Sequence, residues 1–116
     1  MGAGISGLGA AMLAFTKGDI PFVSDYGTID QPTKNKFLNQ KIQFEEGGHS
    51  DKLLDADIII KSPGISPNIP ILLKASEQGL EVISEIEYAS RFTKAKIIGV
   101  TGTNGKTTTV NIIYHI

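Results

Sequence analysis

The chain has 116 residues, of which 41% are hydrophobic and none is cysteine, and its formal net charge is −1. It can bury one core, but it offers no electrostatic case for nucleic acid and no thiols for a disulfide framework or thiolate metal site. No apolar stretch approaches the roughly 18 residues that span a bilayer, and Gly2 to Ala14 has no basic leader and too many glycines for a signal peptide. The absence of cysteine fits a cytoplasmic protein.

In chain order, the small residues from Ser6 to Lys17 predict a helix ended by Gly18, and Pro21 to Ser24 a short strand. Thr33 to Asn39 is helical after Pro32, which suits a first-turn position. Ile42 to Phe44 is a brief strand closed by Gly47-Gly48. Asp57 to Lys61, with its run of three isoleucines, is the clearest strand, and its continuous apolar character is that of a strand covered on both faces. Ile69 to Gln78 is a helix stopped by Gly79, Glu81 to Ser84 a strand, Glu85 to Phe92 a helix, and Lys96 to Thr101 a last strand before a final helix from Lys106 to Ile116. Strands alternating with helices of this size predict an α/β fold, a Rossmann-like parallel sheet flanked by helices. The boundary to a second unit falls near Thr93 to Ala95, so residues 1–93 form one domain and 94–116 the start of another.

Two glycine motifs carry chemistry. Gly2, Gly4 and Gly7 form G-x-G-x-x-G ahead of the first helix, with the roles of tight turn, close approach to a pyrophosphate and helix-on-sheet packing. Asp25, after the next apolar segment, lies where a nucleotide fold places a carboxylate to meet a ribose or base; it has no evident catalytic partner, so its role is binding. The second motif, Gly102-Thr103-Asn104-Gly105-Lys106-Thr107-Thr108, leaves the last strand and opens the last helix. Backbone amides from Thr103 to Lys106 can curl around a phosphate, Lys106 supplies a point charge for the outer phosphates, and the Thr107 hydroxyl is placed for Mg²⁺. Val100 stands where the strict G-x-x-x-x-G-K-[ST] spacing asks for glycine. A third turn, Ser62-Pro63-Gly64-Ile65, follows the isoleucine strand at its carboxyl end, where ligands of parallel sheets gather. His49 in its loop reads as structural, and Glu85 and Glu87, two apart, face different ways on a helix.

Gly4-Ile5-Ser6-Gly7, Ser24-Asp25, Glu46-Gly47-Gly48-His49, Ser62-Pro63-Gly64-Ile65, Ser84-Glu85-Ile86-Glu87 and Gly102 to Thr108 occur in the order seen in the Mur ligases. The chain resembles that family along its whole length, in particular the D-glutamate-adding branch. The family's loop reads GTNGK[ST], which accounts for Val100. The resemblance implies that Gly4, Ile5, Ser6, Asp25 and Gly64 meet a UDP-sugar, with Asp25 by the uracil. It implies that Gly102, Thr103, Asn104, Gly105, Lys106, Thr107 and Thr108 hold ATP and Mg²⁺, Thr107 being the metal contact. The implied substrates are UDP-N-acetylmuramoyl-L-alanine, whose carboxylate ATP phosphorylates, and D-glutamate, whose amine attacks the acyl phosphate. The implied setting is peptidoglycan precursor synthesis in the cytoplasm, and through it cell-wall biogenesis, cell shape and division.

The family pattern places a strand before the first glycine motif and a larger ATP-binding domain after the second. The sequence therefore reads as a fragment, unable to catalyse by itself, with its sheet open at a central position. Lys96 to Thr101, from its own chain or a neighbour's, is then a candidate to fill that slot or cap another edge, the alternative being an open sheet or edge-to-edge pairing with a second copy. Two other functions stay open: the NAD(P)-binding domain of an oxidoreductase, which leaves the second motif unexplained, and a non-catalytic nucleotide-binding module.

Overall fold

The computed structural model describes Met1 to His115. Helix α1 (Ile5–Lys17) leads to strand β1 (Phe22–Ser24), helix α2 (Gln31–Asn39) and strand β2 (Gln43–Glu45). A 3-10 turn (Asp51–Asp55) precedes strand β3 (Ile58–Lys61), helix α3 (Pro70–Glu77), strand β4 (Glu81–Ser84) and helix α4 (Glu85–Ser90). Helix α5 (Lys106–His115) ends the described chain.

Local chemistry sets most of these boundaries. Asp30 caps α2 by accepting a hydrogen bond from the Thr33 N–H at 3.0 Å, and Pro32 sits in the first turn where no N–H is needed. Pro70 opens α3 in the same way. Ser84 caps α4 by accepting from the Glu87 N–H at 3.1 Å, the sequence pattern of a capping box. The 3-10 turn at Asp51–Asp55 has no counterpart in the sequence reading; its Leu53 is buried, and a single buried leucine leaves no periodic signal.

The strands form two parallel pairs. β1 runs with β2 in the register Phe22–Gln43, Val23–Phe44 and Ser24–Glu45. β3 runs with β4 in the register Ile58–Glu81 through Lys61–Ser84. The expected α/β class and parallel direction are present, but not one continuous ladder, because β1 and β3 do not pair. Among the described residues, Met1 and Gly2 link them by main-chain hydrogen bonds. The Met1 nitrogen donates to the Ile60 carbonyl, the Ser62 N–H donates to the Met1 carbonyl at 3.1 Å, and the Gly2 N–H donates to the Ser24 carbonyl at 2.8 Å. The remainder of the gap is a cavity of about 910 Å³.

Apolar packing compensates for the split sheet. Ala3, Ala11, Val23, Ile29, Phe37 and Ile42 form one cluster, with Phe37 fully buried. Leu53, Ile59, Ile71, Leu72 and Ala75 form a second under α3. Helix α1 reaches the β3–β4 pair as well, since Ala14 packs with Ile83 and Tyr88. Its alanines let the backbone lie close to both pairs. The Tyr88 hydroxyl donates to Asp19 at 2.6 Å, tying α4 to the turn after α1.

The expected strand at Lys96 to Thr101 is not formed. These residues have no regular structure, and Ile97 and Ile98 are 62% and 67% exposed. The segment does not enter the gap of its own chain. A strand exists only as part of a ladder, and the β-branched run at 97–100 meets no partner edge here. No residue from Lys94 to His115 is buried.

Candidate functional site

The residues singled out near the amino terminus meet at one edge, beyond the carboxyl ends of β1 and β3. Gly2 takes a φ of +88°, which a side chain rarely tolerates, and a Cβ there would lie 2.7 Å from the Ser62 hydroxyl. The turn before α1 is thus pressed against the Ser62–Ile65 turn. A Cβ on Gly7 would come within 1.9 Å of the Gly2 carbonyl oxygen, so the third glycine of the motif is required by packing. Gly4 differs: a Cβ there would meet nothing within 4 Å. No internal contact demands glycine at this position, and the open space in front of it is where a ligand can approach the backbone.

Gly4 is also the N-cap of α1 and supplies no side-chain capping bond. The first intrahelical bond is from the Leu8 N–H to the Gly4 carbonyl at 2.9 Å. The amides of the first turn, from Ile5 to Gly7, are therefore donors available to an anion, at the positive end of a thirteen-residue helix. Ile5 is 95% exposed, and Gly4, Ser6 and Gly64 are exposed beside it.

Asp25 sits half-buried at the end of β1. Its Oδ2 accepts from the Ala3 N–H at 2.6 Å and its Oδ1 from the Gly27 N–H at 2.8 Å. The sequence reading assigned this carboxylate to a ligand alone; the structure shows that it first braces the glycine turn. Each oxygen keeps a further acceptor position.

Sequence reasoning gave little weight to the loop that closes this edge. The Gly47 N–H donates to the Gly27 carbonyl at 3.1 Å and the Gly48 N–H to the Asp25 carbonyl at 3.3 Å. Ser24, fully buried, donates through Oγ to Glu45 at 2.6 Å and lies 2.7 Å from Nδ1 of His49. Glu45 also accepts from the Ser50 N–H and hydroxyl. Burial pushes the Glu45 carboxyl up, but its bonds from Ser24 and Ser50 outweigh that and hold it below the ordinary carboxylate range. Burial, with the Met1 amino group adding to it, pushes the His49 imidazole below its ordinary value. Through Ser24, His49 joins β1 to this loop. Tyr26, 78% exposed, stands near it, with ring centroids 6.2 Å apart, and no sequence pattern marked it.

The second glycine motif is separate from this edge. Gly102 to Thr108 are all exposed, and their hydrogen bonds are local: the Lys106 ammonium donates to the Gly102 carbonyl, and the Thr109 N–H to the Gly105 carbonyl at 2.9 Å. Gly105 holds a φ of +78°, and α5 begins at Lys106. Glycine turn, lysine and open helix amides fit a phosphate group. Among the described residues, no cluster of three or more His, Asp or Glu side chains could hold a metal ion. No helix among the described residues is long and apolar enough to cross a membrane.

Residues 4–71 match the family model described as the MurD N-terminal domain. Among similar curated proteins, one from Bacteroides thetaiotaomicron is 53% identical over 117 residues, covering all of this chain and 26% of that relative. Another from Christiangramia forsetii is 43% identical over 117 residues, covering 100% of this chain and 26% of the relative. One from Chlorobaculum parvum is 43% identical over 116 residues, covering 100% and 25%. All three bear the name UDP-N-acetylmuramoylalanine--D-glutamate ligase. The chain spans about a quarter of the length of these relatives.

Proposed function

Because the chain belongs to the MurD N-terminal domain family, we propose that it is the amino-terminal part of an ATP-dependent ligase that adds D-glutamate to UDP-N-acetylmuramoyl-L-alanine in peptidoglycan precursor synthesis. The observation that carries the reading is the open space before Gly4, at the uncapped start of α1, with Asp25 and the Ser62–Ile65 turn on either side. The diphosphate would lie against the amides of Ile5 to Gly7. The uracil would lie toward Asp25, whose oxygens keep acceptor capacity for its N–H, and Gly64 would border the same nucleotide. The G-x-G-x-x-G and Asp25 also suit a nicotinamide cofactor, but that reading leaves the Gly102–Thr108 loop without a purpose.

Residues 94–116 are, in this reading, the start of a central ATP-binding domain. Bound ATP with Mg²⁺ would supply the phosphoryl group that activates the substrate carboxylate. The chain's own part is to position and neutralise. The amides of Thr103 to Lys106 hold the phosphates, Lys106 exchanges the Gly102 carbonyl for phosphate oxygens, and the Thr107 hydroxyl orients the metal. The D-glutamate site is assigned to parts of the ligase beyond this chain, so these residues alone bind without turning over.

Thermal-shift titration of the full-length ligase with UDP-N-acetylmuramoyl-L-alanine and with NADH tests the nucleotide assignment. The UDP-sugar should bind and NADH should not, and Asp25→Ala should weaken UDP-sugar binding by about 1–3 kcal/mol. Equal binding of both ligands would overturn it. In the same enzyme Lys106→Ala should abolish most D-glutamate-dependent phosphate release, lowering kcat as well as ATP affinity. Normal turnover would remove the loop from the ATP site.

A further inference from the structure

At the nucleotide edge the Ser62–Ile65 turn must hold one shape for Gly64 to border a ligand. We propose that Lys61 is a positioning residue for the nucleotide, because its ammonium ties both ends of that turn and so presets the wall the UDP-sugar meets. The inference rests on the nucleotide reading above and adds to it a residue outside every glycine motif.

Lys61 is the last residue of β3, level with Ser84 of β4. Alternate residues of a strand share a face, so its side chain leaves on the side of Ile59, which packs in the cluster under α3 that Ile65 also joins. A lysine at a strand end ordinarily lays its stem on apolar atoms and keeps its ammonium in water. Lys61 is half-buried instead, and its Nζ turns back on the chain that follows. It donates to the Ile65 carbonyl at 2.9 Å and, more weakly, to the Ser62 carbonyl at 3.4 Å. The Ile65 N–H donates to that same Ser62 carbonyl at 3.1 Å and closes the turn. One side chain thus holds the turn where it begins and where it ends, with Pro63 and Gly64 exposed at its tip.

Among the described residues, no other side chain bonds the main chain from Ser62 to Ile65. The ion pairs among them engage Lys34, Lys74 and Arg91, not Lys61. The Lys61 charge therefore acts on the carbonyls of the turn, and a charge-assisted hydrogen bond is stronger than a neutral one. The turn also bears on the first glycine motif. A Cβ on Gly2 would stand 2.7 Å from the Ser62 hydroxyl and 3.6 Å from the end of the Ile65 side chain. A turn that shifts would press on Gly2, next to Ala3, whose N–H Asp25 accepts. Pro63, Gly64 and Ser66 are exposed, so little of the core depends on the exact shape of the turn. The surface offered to the nucleotide does.

The test uses the full-length ligase. Lys61→Met keeps the stem and removes the donors. It should raise KM for UDP-N-acetylmuramoyl-L-alanine by about tenfold or more. The kcat and the KM values for ATP and D-glutamate should stay within about twofold, the pattern of lost binding without lost chemistry. Lys61→Arg keeps a long charged donor and should return KM to within about threefold of the original. A ligand-free thermal midpoint close to the original shows that a variant is folded; should Lys61→Met fail that check, Lys61→Gln carries the same comparison. An unchanged KM for the UDP-sugar would overturn the proposal, as would an equal rise in all three KM values or no recovery with Lys61→Arg. Asp25→Ala separates this proposal from the reading beneath it. Weaker UDP-sugar binding in Asp25→Ala but not in Lys61→Met removes Lys61 alone, whereas failure of the unaltered ligase to bind the UDP-sugar removes both.

Discussion

Three glycines of one motif have three different physical reasons to be glycine, and substitutions can separate them. Gly7 is fixed by the Gly2 carbonyl oxygen, 1.9 Å from where a Cβ would stand. Gly7→Ala should destabilise the fold by about 1–3 kcal/mol or more through overpacking, read by urea denaturation. Gly4 faces open space, so Gly4→Ala should cost less than about 1 kcal/mol, the loss of a tolerable N-cap, yet, on the proposed reading, impair UDP-sugar binding by placing a methyl group where the diphosphate would approach. His49 offers a second residue-level test. Its imidazole titrates below the ordinary 6.5 in the fold, so the unfolded chain binds more protons in the window beneath that value. The stability that His49 contributes is therefore full above about 6.5 and is lost as the pH drops from there through the lower folded value. The buried Met1 amino group, pushed down to about 6 from 8.0, adds its own loss as the pH falls below 8. His49→Gln should remove the His49 part of the near-neutral decline in a denaturation series and leave the part due to the Met1 amino group. It should leave a second decline in the acid range, where Glu45, Glu46 and Glu81, all held below the ordinary 4.5, become protonated.

At the scale of elements, caps and apolar stripes explain why helices begin and end where they do. Helix α4 has only six residues, too short to persist on its own propensity. It holds through the Ser84 cap, the buried Tyr88 and the edge-to-face contact of Tyr88 with Phe92 at 5.1 Å. Ser84→Ala should cost about 1 kcal/mol, and because α4 packs on α1 through Tyr88 and Ala14, the loss should appear in global unfolding rather than as local fraying. The strands obey a different rule. β4 was legible from Glu81-Val82-Ile83-Ser84 because β3 stands beside it. Lys96 to Thr101 has an equally β-branched composition but no edge to join, and it remains irregular.

Across the whole molecule, α1 joins two parallel pairs that a sheet would ordinarily unite. It places Ala11 in the core of β1, α2 and β2, and Ala14 against Ile83 and Tyr88. Among the described residues, none from Lys94 to His115 is buried in that core. Removing residues 94–116 should therefore leave the thermal midpoint and cooperativity of the remainder essentially unchanged, measured by calorimetry. A drop of several degrees would mean that the segment contacts the core in solution.

Much was legible in the chain itself. The periodic helices, the isoleucine strand, the parallel α/β class and both glycine turns follow from local chemistry: Gly, Pro, Ser and Asp at element ends and β-branched runs between them. So do the positions of Gly4, Asp25 and Gly64 in order along the chain. Their meeting at one edge was decided by the fold, because it depends on which strands run side by side. The bracing of the glycine turn by Asp25, the Ser24–Glu45–His49 network and the gap between β1 and β3 belong to the same category. Each is a contact between residues far apart in sequence, and a hydrogen bond or a missing ladder at that range leaves no trace in spacing.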